Sequence, residues 1–136
     1  MKVMGIDYGD ARTGVAISDL LCTIVGMTAV VPSRNTEKAV ADIVRMAKEN
    51  QVGEIVVGLP KNMDGTEGPR AQLCREFAQI LRDATGLPVA MWDERRTTVE
   101  AHNILSAHNY HGKKRKETVD AVAASLILEG YLAYRK

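Results

Sequence analysis

Four acids stand where this chain could do chemistry: Asp7, the adjacent Asp93 and Glu94, and Asp120. Asp7 ends the apolar run Val3-Met4-Gly5-Ile6 and leads into the turn YGDARTG, which is bracketed by Gly9 and Gly14. A carboxylate at the exit of a buried strand loses hydration, so it needs donors, a cation or a raised pKa. An Asp-x-Gly turn also has a plainer use, in which the aspartate bonds its own loop. Asp93 and Glu94 follow another short apolar run. Side chains alternate along a strand, so both cannot turn toward Asp7; the longer arm favours Glu94, with Asp93 as its rival. Asp120 falls near the start of the last helix, where negative charge is tolerated and Ala123 and Ala124 leave room beside it. Carboxylates from two strand ends and a helix start make an oxygen-ligand set suited to Mg²⁺, which shares its coordination with substrate phosphates. The reaction class such a set implies is metal-assisted phosphodiester hydrolysis.

The surrounding elements must bring these acids together. Val3–Ile6 is too continuously apolar for a half-exposed strand, and the chain returns antiparallel through Val15, Ala16 and Ile17. Ile24–Val31 reads as a third strand closed by Pro32. Asn35 or Thr36 caps a helix that carries Val40, Ile43, Val44 and Ala47 at helical spacing and ends near Asn50. Ile55–Leu59 is a central strand stopped by Pro60. The polar loop KNMDGTEGPRA then enters a helix whose apolar face is Ala71, Cys74, Phe77, Ala78 and Leu81, with Gly86 and Pro88 as its stop. Val89–Trp92 is the fifth strand. Thr97 and Glu100 have capping-box spacing for a short helix from about 98 to 106. His108–Lys116 lacks apolar periodicity and reads as a mobile basic loop, and periodicity returns from Glu117 through Val119, Val122, Ala123, Leu126 and Ile127. The order predicts an α/β fold with a mixed sheet and right-handed crossovers. If the first, fourth and fifth strands share that sheet, the acids gather at its carboxyl edge.

The composition restricts what the acids can serve. The 136 residues suit a single domain, 1–136, able to bury a core without staples. No apolar run approaches a membrane span and the N-terminus lacks a signal-peptide pattern, so a cytoplasmic protein with no membrane partner is expected. Cys22 and Cys74 have no CxxC spacing, and the three histidines have no HExxH spacing, which argues against zinc. A net charge of +1 gives no global attraction for nucleic acid. A local patch does exist: from Arg95 to Lys116 the chain holds six Lys or Arg against one acid, Glu100. Aromatics at 4% argue against a stacking-based single-strand binder, and Trp92, Met91 and Phe77 read as core.

The segments GIDYGDARTGVA, VVGLPKNMDGTEGPRA, WDERRTTVEA and KETVDAVAASLILEGYL, the last preceded by a basic stretch, closely resemble the YqgF family, also called RuvX. The resemblance covers nearly the whole chain and implies an RNase H-like fold. That fold has a five-stranded mixed sheet of order 3-2-1-4-5, its second strand antiparallel, flanked by helices. It makes Asp7, Glu94 and Asp120 the expected catalytic and metal-binding triad, with Mg²⁺ or Mn²⁺ as cofactor. The implied activity is an endonuclease maturing the 5′ end of pre-16S ribosomal RNA, with branched-DNA (Holliday-junction) resolution as the alternative. The partners would be ribosomal RNA precursor or branched DNA, with ribosomal particles, acting as monomer or homodimer. A non-catalytic ribosome-assembly factor on the same fold is the contrasting reading. The related RuvC resolvases carry an acid on the fourth strand, where this chain has Gly58-Leu59-Pro60, so Glu94 has to supply it from the fifth.

Candidate substrate contacts surround the acids. Lys61, Asn62 and Arg70 belong to the glycine-containing loop and the helix it enters, a setting that suits phosphate. Arg12 and Arg95 either neutralise phosphate charge or pair with the carboxylates. Lys113, Lys114, Arg115 and Lys116 offer salt-sensitive backbone attraction.

Overall fold

The computed structural model describes residues 1–96 and 112–135. Five strands form one sheet: β1 (Lys2–Asp7), β2 (Arg12–Ser18), β3 (Val25–Pro32), β4 (Val52–Leu59) and β5 (Val89–Asp93). Their order is β3-β2-β1-β4-β5, with β2 antiparallel to both neighbours and β1, β4 and β5 mutually parallel. This is the expected order. Among the described residues, three helices cover the sheet: α1 (Thr36–Glu49), α2 (Pro69–Thr85) and α3 (Gly112–Tyr134). A single 3₁₀ turn, Glu94–Arg96, follows β5.

Each face of the sheet has its own core, which is why β1 and β4 are apolar without alternation. On one side Met4, Ile6, Ile55 and Val57 meet Ile43 of α1 and Phe77 and Leu81 of α2. On the other side Val3, Ala16 and Val56, with Trp92, meet Ala124, Ile127, Leu128 and Leu132 of α3. The buried face of α2 is the predicted set, and its end at Gly86 uses the left-handed backbone, φ 72°, that glycine adopts without strain. In α1 the Asn35 side chain caps by accepting from Lys38 N–H at 3.0 Å. The buried face of α1 is turned slightly from the expected one: Ala39, Ile43, Met46 and Ala47 are buried, while Val40 and Val44 are half-buried.

One expectation about the C-terminal third changes and another is untested. The short helix from about 98 to 106 lies outside the described residues. The basic stretch is not a loop from residue 112 onward, because α3 begins at Gly112 and the backbone of Lys113–Lys116 is helical. Apolar periodicity detects only helix turns with an apolar stripe, whereas Lys, Arg and Glu favour helix by propensity alone. Among the described residues, no helix is long and apolar enough to cross a membrane.

The small residues of the first hairpin let α3 lie directly on β1 and β2. A Cβ on Gly5 would stand 2.8 Å from Leu128 Cβ, and one on Gly14 would stand 2.0 Å from the main-chain oxygen of Asp120. Gly14 is the residue paired with Asp7 across β1 and β2. This contact therefore seats Asp120 over the strand pair that carries Asp7.

Candidate active site

Asp7 is the last residue of β1, and β4 and β5 end beside it at Leu59 and Asp93. The edge lies where the chain leaves β1 in one direction for β2 and in the other for β4, the place where sheets of this kind open a crevice. Glu94 begins the turn after β5. A Cβ on Gly58 of β4 would come within 2.8 Å of Glu94 Cγ and Cδ, so the glutamate side chain crosses β4 through the space a residue 58 side chain would fill. Glycine at that position is what admits an acid from the neighbouring strand.

Glu94 completes this crossing by hydrogen bonding to the Asp7 carboxyl. Two carboxyls at bonding distance cannot both stay ionised in a partly dehydrated crevice. Burial raises the Asp7 pKa and the Asp120 charge adds to the rise, while the Glu94 hydrogen bond and Arg70 oppose it. Burial, then the Asp7 charge and hydrogen bond, push Glu94 up to about 8 against the opposing pull of Arg70. Both carboxyls are thus held above the usual carboxylate range, and the pair favours holding one proton between them.

Asp93 turns away, as strand alternation requires. Its carboxylate is gripped by Arg95, with Nη2 to Oδ2 at 2.7 Å and the Arg95 N–H to Oδ1 at 3.0 Å. Arg95 holds the Asp93 pKa below the usual carboxylate range. The same arginine reaches the Met63 carbonyl at 3.4 Å, so it braces the β4–α2 loop. Of the two rivals, Glu94 is the one that meets Asp7.

Asp120 lies close enough to raise Asp7, but Arg12 Nε bonds its Oδ2 at 3.0 Å in a half-buried pair. The sequence leaves the pairing of Arg12 and Arg95 open, and both pair with acids here. Among the described residues, no three carboxylate, histidine or cysteine side chains already form a metal-ligating cluster. Of the three expected acids, Asp7 and Glu94 form a bonded pair, and Asp120 stands beside it held by an arginine.

The loop residues divide. Asn62 is occupied within its loop, its N–H bonding the Thr66 carbonyl at 2.8 Å and its side-chain amide the Thr66 hydroxyl at 2.9 Å. Lys61 exerts its charge on Glu67 and Asp93. Arg70, in the first turn of α2, donates to the Tyr8 carbonyl and to Asp10 Oδ1, the latter at 2.6 Å, and lowers both Asp7 and Glu94. Sequence reasoning did not single out Asp10 or Tyr8. Their partner lies 60 or more positions away, and only the cation at Arg70 hinted at a counter-charge nearby. Lys113–Lys116 lie on the first turns of α3.

The shared proton makes stability depend on pH in a definite sense. A carboxyl whose folded pKa is raised binds its proton more tightly in the folded state, so its contribution is full below about pH 4.5 and is lost as pH rises through about 8. Metal-free protein should lose on the order of a few kcal/mol across that window. Melting temperatures in EDTA from pH 5 to 9 should fall, and Glu94→Gln should flatten the curve. An unchanged slope in that variant would place the titrating group elsewhere.

Comparison with known proteins identifies the lineage. A chain from Halothermothrix orenii, named "Putative pre-16S rRNA nuclease", is 48% identical over 139 residues, covering 99% of this chain and 96% of its own length. A chain of the same name from Thermoanaerobacter pseudethanolicus is 46% identical, covering 100% and 99%. In fold, the chain matches Thermus thermophilus RuvC in complex with a Holliday junction substrate, at a TM-score of 0.63 and 14% identity over 99% of this chain and 95% of that one. The fowlpox virus resolvase in complex with Holliday junction DNA matches at 0.59 and 12%, over 99% of each chain. These neighbours give the architecture its class, RNase H-like, as expected. The family described as "RuvX: Holliday junction resolvase" matches residues 1–134, and with relatives this close along their whole length the chain belongs to that family.

Proposed function

We propose that the chain is a divalent-metal-dependent endonuclease that hydrolyses phosphodiester bonds in structured nucleic acid, maturing the 5′ end of pre-16S ribosomal RNA. The observation that carries this reading is the bonded carboxyl pair Asp7–Glu94 at the carboxyl edge of the sheet, where Gly58 lets Glu94 cross β4 to reach the end of β1. A pair of carboxyls that holds one proton in common offers two negatively charged oxygen donors to a cation that replaces that proton. The donor set is all oxygen, which fits Mg²⁺ or Mn²⁺. Asp7 and Glu94 would hold the ion, and Asp120 would join them on exchanging Arg12. When bound, the ion lowers the pKa of a water and neutralises charge on the phosphoryl oxygens.

The other residues have roles of their own in this reading. Arg12, once released by Asp120, is a guanidinium freed beside the acids, suited to the scissile phosphate. Arg70 and Lys61 add positive charge along the crevice. Arg95 and Asn62 hold the loop in shape. Lys113–Lys116, on the N-terminal turns of α3, attract the backbone without sequence preference. Partial burial strengthens every charge interaction at the acids relative to water.

The relatives' names favour the ribosomal RNA substrate, and the family description favours branched DNA as the second reading. The two differ in what they ask of the molecule. One RNA end needs one active site, whereas two symmetric junction strands need two. Incubation with Mg²⁺ of a precursor RNA carrying the 16S 5′ leader, and separately of a four-way DNA junction, with product ends mapped, tests both. The proposal expects cleavage at the mature 5′ end. Cuts confined to the junction would select the resolvase reading, and failure to cut either would leave the non-catalytic assembly role.

A further inference from the structure

Arg70 is held by three contacts, and one differs in kind from the others. Its Nη2 donates to the main-chain carbonyl of Tyr8, and its guanidinium carbon stands 5.1 Å from the centroid of the Tyr8 ring. That ring stacks at 4.1 Å on Phe77, itself fully in the core, so the shelf beneath the guanidinium is rigid. The third contact is Nη1 to Asp10 Oδ1 at 2.6 Å. Asp10 lies in the turn between β1 and β2 with 83% of its side chain exposed, whereas Arg70 is 36% exposed. A short ion pair to so exposed a carboxylate adds little to folding, because water and salt compete for both partners. The backbone carbonyl and the ring already orient the arginine.

A carboxylate and a phosphodiester present the same feature to a guanidinium, two anionic oxygens in one plane. Asp10 also neutralises an arginine that stands near enough to Asp7 and Glu94 to lower the pKa of both. We propose that Asp10 is an internal stand-in for a substrate phosphate: its carboxylate occupies the side of Arg70 that a backbone phosphodiester takes when nucleic acid binds. Binding then exchanges one anion for another on a cation whose direction does not change. The arginine stays seated on the Tyr8 ring and carbonyl and is kept from collapsing onto the acid pair in the absence of substrate. Asp10 thereby tunes affinity, favouring ligands that present a phosphate in register with the acids over those that merely approach the basic surface. This inference rests on the nuclease reading and deepens it by assigning one phosphate subsite.

The test measures binding by fluorescence anisotropy at one fixed salt concentration in EDTA, so that no cleavage occurs, with the full chain. The probes are a labelled four-way DNA junction and a labelled RNA stem carrying the 16S 5′ leader. Asp10→Asn should bind about threefold tighter than the parent protein. Arg70→Gln should bind about tenfold more weakly. Removing a negative charge also lessens general repulsion, so the deciding comparison is the double variant. Asp10→Asn in the Arg70→Gln background should give no further gain, and an equal gain there would overturn the proposal by showing that Asp10 acts through overall charge. No gain in either background would overturn it as well. Under turnover, Asp10→Asn should lower KM at unchanged kcat, a split that a merely structural contact does not produce. If the parent protein binds neither probe, the nuclease reading falls along with this inference. If it binds and Asp10→Asn changes nothing, only the inference falls.

Discussion

Asp7→Asn should abolish turnover, lowering kcat by about a thousandfold or more, a loss of about 4 kcal/mol of transition-state stabilisation. The same substitution should leave the protein folded and, in EDTA near pH 8, at least as stable as the parent. Asp7 pays a dehydration cost that its partners offset only in part, since burial is the largest influence on its pKa and the direction is upward. An amide of the same shape removes that cost and still bonds Glu94. Activity and stability are therefore expected to move in opposite directions, which separates a residue kept for chemistry from one kept for folding. Circular dichroism melts alongside product mapping on the precursor RNA and the junction read both. Equal cleavage by parent and variant would remove Asp7 from the reaction.

Gly14→Ala should be among the most damaging single methyls at the described glycines. The added carbon would stand 2.0 Å from the Asp120 main-chain oxygen and 2.6 Å from its carbonyl carbon, and backbone cannot swing aside as a side chain can. Helix α3 has to lift from β2, opening the core around Ala16, Ala124 and Leu128. Overpacking of this kind costs about 3 kcal/mol, which lowers Tm by about 10 °C in a chain of this size. Asp120 moves with the helix, so residual activity should fall further than stability alone explains. Gly26→Ala is the matched control: its nearest neighbour would be 3.4 Å away, an ordinary contact, and Tm should hardly move. Equal melting of the two variants would mean that α3 does not seat on Gly14.

The contrast between those glycines marks what a sequence can and cannot disclose. Continuous apolar runs at Val3–Ile6 and Ile55–Leu59 announce strands covered on both sides, and the two cores show why. The α2 face was legible because its five apolar residues follow one helical stripe between a Pro-Arg entry and a Gly stop. Asp7 was legible as a candidate because an acid closing such a strand loses hydration and needs a partner, although the turn that follows it also offered a plain loop-bonding use. Glu94 was legible only as one of a pair. What decides it against Asp93 is Arg95, which takes Asp93 two positions away, and Gly58, which clears the path across β4.

Contacts between distant segments left weaker traces. Nothing in the local pattern at Asp10 points to Arg70, and nothing at Arg12 requires Asp120, 108 positions away. Each pair exists because the sheet brings the β1–β2 turn and the start of β2 beside the first turn of α2 and the third turn of α3; Asp120 stands inside that helix and not at its start as expected, because α3 begins at Gly112. The early start of α3 escaped for another reason. Lys113–Lys116 are helical in backbone although their sequence carries no apolar stripe to record it.

Whether the acids hold one divalent cation is answered most directly by a crystal grown with Mn²⁺ and measured for anomalous scattering. The predicted result is a single strong peak bonded to carboxylate oxygens of both Asp7 and Glu94 at about 2.1 to 2.2 Å, with Arg12 parted from Asp120. It should vanish in Asp7→Asn. A cleavage-competent protein whose manganese sits away from Asp7 and Glu94, or which binds none while the pair keeps its shared proton, would contradict the account.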